Sequence, residues 1–191
     1  MKCLSMIVAS FALSFSPLAT AAEQWGVNES ESSVAFVAVG KPGFLKIRGE
    51  GARLKGVATM DGKVLTGTFT VALASLKTGI DLRDEHMKGK YLEVEKFPVA
   101  QLELDPLTVE VGENDYDFTG KLTLKGVTKA VAGKLALVLK AEGQASGQAE
   151  FSIKMSDFPV GVPSHMGVTV AESVDLTIDF VAKRTSEVAA K

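Results

Sequence analysis

The sequence has few of the residues on which many catalytic and metal sites depend. Its 191 residues include one cysteine and two histidines. The cysteine, Cys3, belongs to an N-terminal segment that we expect to be removed, so the rest of the chain has no thiol nucleophile, thiolate ligand or disulfide. His165, which we place in a loop, stands far from His86 and without the spacing of a metal site. The sequence therefore predicts no cofactor and no metal.

The sequence also shows no strong clustering of charged residues. The formal net charge is -2, and lysine and arginine do not gather into a basic stripe. Because nucleic-acid binding depends on such a surface, a nucleic acid is not an expected partner. The chain also has no phosphate-binding loop, nucleophile elbow or paired-carboxylate motif. These absences favour a protein that is not an enzyme.

The first 22 residues are typical of a secretory signal peptide. Met1-Lys2 gives a charged start, residues 3–18 are mostly apolar, and small residues follow. We expect cleavage after Ala21 or Ala22 and a periplasmic or secreted protein. The apolar run is too short for a stable membrane span, so stable membrane insertion is not expected.

The remaining residues suffice for one domain with its own core. We assign residues 23–183 to that domain and residues 184–191 to a flexible tail. Trp25, close to the predicted new N-terminus, is most simply a plug or a core anchor.

Apolar and polar residues alternate through most of this domain, as they do around Phe69, Val71 and Leu73. Turn residues separate the alternating runs, for example at 61–62, 113–115 and 125–126. The pattern predicts about eight antiparallel strands, each with one apolar face. With almost no helix to cover the sheet, we expect an all-β, up-and-down barrel, with a two-sheet sandwich as the alternative.

The apolar faces of these strands would line the inside of the barrel. An eight-stranded barrel either fills with its own side chains or leaves room for a slim ligand, and the alternation alone leaves both open. The residues predicted to face inward are Phe69, Leu73, Leu102, Phe118, Leu122, Leu135, Phe151, Ile153 and Leu176.

One short polar segment, LRDEHM at residues 82–87, interrupts the alternation. Asp81 is predicted to cap a short helix near residues 81–89, which Gly89 ends. Leu82 and His86 lie four residues apart and therefore share one side of that helix.

The polar side chains of this helix have several interpretations. His86 could act as an acid or base, bind a metal, or be a partly buried residue that ties the helix to a strand end by hydrogen bonds. The last use is favoured, because the sequence supplies no catalytic or metal-binding partner. For Arg83 and Asp84, a structural clamp over the barrel end is favoured over substrate contact.

Several motifs resemble those of the YceI-like family. They are KTGIDLRDEHM at residues 77–87, YL at 91–92, KFP at 96–98 and FTGKLTLKGVTK at 118–129. Residues 151–158 and 174–180 are similar to the last two strands of that family, whereas residues 40–51 and 140–148 depart from its common form. The resemblance implies a secreted or periplasmic, lipocalin-like barrel whose elongated apolar cavity holds a polyisoprenoid, such as an isoprenoid quinone or a related lipid.

The leading hypothesis is a periplasmic protein that binds a polyprenol or an isoprenoid quinone in the barrel for carriage or storage. The inward residues named above would bind the chain, while Leu82, Arg83, Asp84 and His86 would contact the ligand or gate the mouth. One alternative is an enzyme that acts on a small amphiphile with His86 as acid or base. Another is a structural or partner-binding protein of the cell envelope whose barrel is solid. The sequence leaves a homodimer open.

Overall fold

The computed structural model describes residues 22–41, 45–165 and 168–188. The predicted signal peptide lies outside these residues except for Ala22, where the first strand begins. The strands are β1 (Ala22–Val27), β2 (Ser33–Lys41), β3 (Lys46–Ala52), β4 (Leu54–Asp61), β5 (Val64–Ala72), β6 (Val99–Thr108), β7 (Gly112–Leu124), β8 (Val127–Lys140), β9 (Gln144–Lys154), β10 (Ser164–His165) and β11 (Val168–Val188). One short helix, α1 (Asp81–His86), lies between β5 and β6.

The strands form a closed antiparallel barrel, as the sequence predicts. Neighbours in sequence pair from β4 to β9, and β9 pairs with the long strand β11. Strand β1 closes the barrel because it pairs with β11 on one side and with β4 on the other. Strand β2 continues along β11 and carries β3 on its outer edge, so β1–β2 and β3–β4 act as two long, kinked strands.

The two kinks lie next to each other and are joined through Ser32. Its buried hydroxyl accepts a hydrogen bond from the Leu54 N–H at 2.9 Å. The Arg53 guanidinium donates to the Ser32 carbonyl at 2.7 Å. Because buried polar groups need partners, these bonds satisfy the backbone where both strands leave the regular ladder.

Side-chain alternation places the core inside the barrel. On β8, for example, Leu135, Leu137 and Leu139 are buried, whereas Lys134, Ala136 and Lys140 next to them are exposed. Phe118 and Phe151 meet edge to face, with ring centroids 5.9 Å apart. Such pairs stabilise a core beyond the area they bury.

The chain end differs from its prediction. Residues 184–188 are not a tail, because β11 extends to Val188 and pairs there with β1. The Arg184 guanidinium also donates to Glu23 on β1 at 2.7 Å. These backbone and side-chain bonds compensate the entropy of ordering a terminal segment.

Two local predictions also differ from the structure. The polar run at residues 113–115 belongs to β7, which begins at Gly112, whose φ is +119°. His165 lies not in a loop but in the two-residue strand β10, where its backbone pairs with Val168. Polar residues are compatible with a strand that has one face in solvent, so composition alone misplaced both elements.

Candidate ligand-binding site

The barrel encloses a cavity of about 810 Å³. It extends from Trp25 and Met60 on one side of the fold to the segment that contains α1. Its volume is in the range of roughly 300–1,000 Å³ that is usual for ligand sites. The barrel is therefore hollow, and the solid barrel left open by the sequence is excluded.

Phenylalanine–glycine pairs help to keep the lumen open. The Phe36 ring lies across the backbone of Gly49 on the neighbouring strand and leaves no room there for a side chain. The same arrangement recurs where Phe69 covers Gly56, Phe118 and Phe151 cover Gly133, and Phe180 covers Gly147; Phe69 also covers Gly67 on its own strand. Because a glycine has no side chain, each ring can lie against the wall, and the centre of the barrel stays empty.

All the residues predicted from the sequence as ligand contacts line this cavity, except Asp84. The nine inward residues come from the strand faces and from the turn after β5, and Leu82, Arg83 and His86 come from the polar insert. Whether they contact a ligand stays a prediction. Lining residues that were not predicted include Phe36, Thr78, Ile80, Met87, Lys90, Tyr91 and Phe180. Phe36 and Phe180 could have been found by the alternation in their strands.

The polar insert and its flanking residues form a lid at one end of the barrel. We define this lid as residues 78–92. Helix α1 continues directly into one π-helical turn, Met87–Tyr91. The prediction that Gly89 ends the helix is therefore wrong. The chain turns at Glu93 instead, with φ at +48°. The π-turn widens the helix, and both Met87 and Tyr91 line the cavity.

The start of the lid is held by Asp84 rather than by Asp81. Helix α1 begins after Ile80, and no side chain caps it at that position. The Asp84 carboxylate instead accepts from the Thr78 N–H at 2.7 Å and from the Thr78 hydroxyl. The hydroxyl bond lowers the pKa of Asp84. The predicted cap is wrong because the acceptor comes from the first turn of the helix and reaches back to the preceding loop.

Thr78 also binds Arg83. The guanidinium Nε donates to the Thr78 hydroxyl and Nη2 donates to the Thr78 carbonyl, both at 2.7 Å. Arg83 and Asp84 thus order the start of the lid through a shared threonine rather than through a direct ion pair. These bonds lie within the lid, so a clamp that fixes it over the barrel end stays a prediction.

His86 is exposed and lines the cavity mouth. Within the described residues its side chain forms no hydrogen bond, so the predicted bond from helix to strand is not observed. The same part of the chain contains no group of three histidine, cysteine or acidic side chains that could hold a metal ion.

A buried lysine fastens the other end of the lid. The Lys125 ammonium, in the turn between β7 and β8, donates to Glu93 Oε1 and to the Pro159 carbonyl, both at 2.7 Å. The Lys125 side chain is only 6% exposed, and its backbone has φ at +50°. We call Glu93, Lys125 and Pro159 the latch, because they join three separate segments at the lid end of the barrel.

The latch should make stability sensitive to acid. Hydrogen bonds from Lys125 and then from Lys96 lower the pKa of Glu93 from 4.5 to about 2. A carboxylate whose pKa is lower in the folded than in the unfolded state stabilises the fold at pH values above its unfolded-state pKa. This contribution is lost as the pH falls from about 4.5 towards 2. Glu93→Gln should therefore be less stable than the wild type at neutral pH, by a margin that shrinks on acidification.

Urea unfolding at several pH values between 7 and 2 would measure that margin. The control is Glu95→Gln, since Glu95 is exposed and close to Glu93 in sequence. A constant difference between wild type and Glu93→Gln across the series would contradict the assignment.

These features define a class: a closed antiparallel β-barrel with a hollow apolar lumen, a helical lid and a polar mouth. The YceI-like domain matches residues 25–182, and the chain belongs to that family. A UPF0312 protein of Pectobacterium atrosepticum is 37% identical over 99 residues, which cover 48% of this chain and 50% of that protein. Protein YceI of Escherichia coli is 32% identical over 115 residues, or 57% of this chain and 58% of that protein. The chain thus spans about half the length of the first curated relatives it matches.

Two solved structures share the fold. A polyisoprenoid binding domain from Saccharophagus degradans, implicated in plant cell wall breakdown, matches with a TM-score of 0.68 and 17% identity, covering 84% of this chain and 98% of that one. BcnA of Burkholderia cenocepacia matches with a TM-score of 0.66 and 22% identity, covering 81% and 98%.

Proposed function

We propose that this protein binds an isoprenoid lipid, a polyprenol or an isoprenoid quinone, inside the barrel. The observation that carries the proposal is the shape and chemistry of the cavity. Its polar lining side chains all belong to the lid, namely Thr78, Arg83, His86, Lys90 and Tyr91, apart from the Trp25 indole N–H. The rest of the wall is apolar. A ligand that fits has a long apolar chain and one polar end.

Burial of the chain would supply enough free energy for binding. Each buried methylene contributes about 0.8 kcal/mol. Association costs roughly 4–15 kcal/mol, so a few isoprene units offset it. The solved polyisoprenoid binding domain from Saccharophagus degradans supports an isoprenoid over another chain.

We further propose carriage or storage in the periplasm, without turnover. The N-terminal segment has the pattern of a signal peptide. His86 supports binding rather than catalysis, because no nucleophile or carboxylate of the described residues is hydrogen-bonded to it. Within those residues, no helix has the length and apolar character to cross a bilayer.

Native mass spectrometry of protein purified from its own periplasm tests the proposal. The spectrum should show a bound lipid, and extraction should return an isoprenoid. Protein stripped of lipid should then take up a polyprenol or an isoprenoid quinone from detergent. Trp25, the only tryptophan, lines the cavity and supplies a fluorescence signal for the titration. Protein that is reproducibly empty and takes up neither lipid would overturn the proposal.

Two further measurements test the predicted export and the absence of turnover separately from lipid binding. If the signal peptide is cleaved as predicted, the measured mass should correspond to a chain that begins at Ala22 or Glu23. The lipid should be recovered chemically unchanged after long incubation with wild-type protein. Conversion that is lost in His86→Gln, with affinity retained, would favour the enzyme instead.

A further inference from the structure

Three of the eight exposed large apolar side chains of the described residues also line the cavity. Leu45, Ile80 and Leu82 line the cavity and are nevertheless 38%, 53% and 59% exposed. All three belong to the lid end: Leu45 directly precedes β3, and the other two lie in the lid. Val162, 41% exposed, precedes another lining residue, Pro163. The mouth is thus edged by apolar groups that water contacts, which marks an interaction surface.

The charged side chains that line the cavity at this mouth are cationic. Arg83 and Lys90 line the cavity beside His86, and no aspartate or glutamate of the described residues does. The acidic residues of α1 are Asp81, Asp84 and Glu85, so the helix places its cations, but not its carboxylates, at the opening.

Neither cation forms a direct ion pair in the part of the chain that the structure describes, although Arg83 and the Asp84 carboxylate share the Thr78 hydroxyl. Arg83 donates only to the neutral oxygens of Thr78. The Lys90 ammonium lies 5.6 Å from the centre of the Tyr91 ring. The mouth therefore presents positive charge next to exposed apolar side chains.

We propose that the lid end of the barrel docks on a lipid bilayer that contains anionic lipids. Apolar side chains that enter the interface and cations that meet lipid phosphates are the two contributions that hold peripheral proteins on membranes. Leu45, Ile80 and Leu82 supply the first contribution, and Arg83 and Lys90 supply the second. The docking surface edges the opening, so a lipid can pass between membrane and lumen without crossing water. This inference extends the proposed function, but docking can be measured without cargo.

Vesicle flotation with lipid-stripped protein tests the docking. Wild-type protein should float with vesicles of phosphatidylglycerol and phosphatidylcholine, and bind vesicles of phosphatidylcholine alone more weakly. Raising the salt concentration should weaken the first interaction, because salt screens exposed charges. The double variant Ile80→Asn/Leu82→Asn should lose about tenfold or more in vesicle affinity, since it removes two apolar side chains from the interface. Lys90→Gln should weaken binding to the anionic vesicles only.

Matched controls come from equally exposed valines away from the mouth. Val57 on β4 and Val111 before β7 are 63% and 64% exposed, and Val57→Asn and Val111→Asn should float as the wild type does. Wild-type protein that ignores both kinds of vesicle, or an Ile80→Asn/Leu82→Asn variant that floats unchanged, would overturn the docking surface. Lipid uptake by the wild type from detergent is measured separately. Uptake without flotation overturns docking alone, and flotation without uptake overturns the proposed cargo alone.

Discussion

Replacing Lys125 with methionine should lower the free energy of unfolding by about 2–3 kcal/mol. The ammonium group is almost fully buried and donates to Glu93 and to the Pro159 carbonyl. Methionine fills similar space but donates no hydrogen bond, so the carbonyl and one carboxylate oxygen lose their partner. Hydrogen bonds that involve a charged group contribute roughly 1.5–3 kcal/mol, so removing the donor is costly. The positive φ at this position affects both side chains alike and does not contribute to the difference.

Urea unfolding would measure the loss, with Lys129→Met as the control. Lys129 lies four residues further along and is exposed, so its replacement should change stability by less than about 0.5 kcal/mol. Hydrogen exchange gives a second result, because the latch holds the lid. Exchange in residues 87–94 should accelerate more in Lys125→Met than exchange in the middle of β8. Equal losses of stability in the two variants would show that Lys125 is not a latch.

Ala149→Phe should weaken the binding of a long isoprenoid by more than tenfold. Ala149 lies midway along β9, lines the cavity, and pairs with Leu135 and Ile178 on the neighbouring strands. A phenyl ring at this point obstructs the lumen and keeps the far part of the chain out. If only two methylene groups of the ligand are no longer buried, the binding free energy weakens by about 1.6 kcal/mol. This corresponds to more than a tenfold loss of affinity.

The same substitution should not destabilise the empty protein. A ring that fills an apolar void recovers contacts, since an empty cavity costs on the order of 24 cal/mol per Å³. The control is Ala136→Phe, because Ala136 is exposed on the outer face of β8. A titration series of isoprenoids of increasing length would show the difference. Long chains should be excluded by Ala149→Phe but not by Ala136→Phe, and short chains should bind both. Equal affinity of the two variants for long chains would place the ligand outside the lumen.

The strand faces could be predicted from the sequence because side-chain direction in a strand depends only on parity. Phe118 and Leu122 point inward once their strand is recognised, whatever the other strands do. Local hydrogen bonding was less predictable. Asp81 and Asp84 both suit the start of a helix, and the position of Thr78 determines which one is used. Gly89 lies within the π-turn, although a glycine there is a typical end signal.

The largest difference between the sequence-based prediction and the structure concerns Lys125. Lys125-Gly126 has the composition of an exposed hairpin turn, and the turn is present. Its lysine is nevertheless buried, because Glu93 and Pro159 approach it from segments 32 and 34 residues away in sequence. Contacts of such separation depend on how the strands are arranged around the barrel, and no local pattern carries that information.

The sequence alone predicts the antiparallel strands, the apolar inner faces and the position of the polar insert, because each follows from periodicity within a few neighbouring residues. The hollow lumen and the place where it opens follow from the tertiary structure. The void depends on register: Phe36 meets Gly49 and Phe118 meets Gly133 only when the strands pair as they do. The mouth depends on packing that collects Leu45, Ile80 and Arg83 at one end. Both are properties of residues distant in sequence, whose proximity only the closed barrel creates.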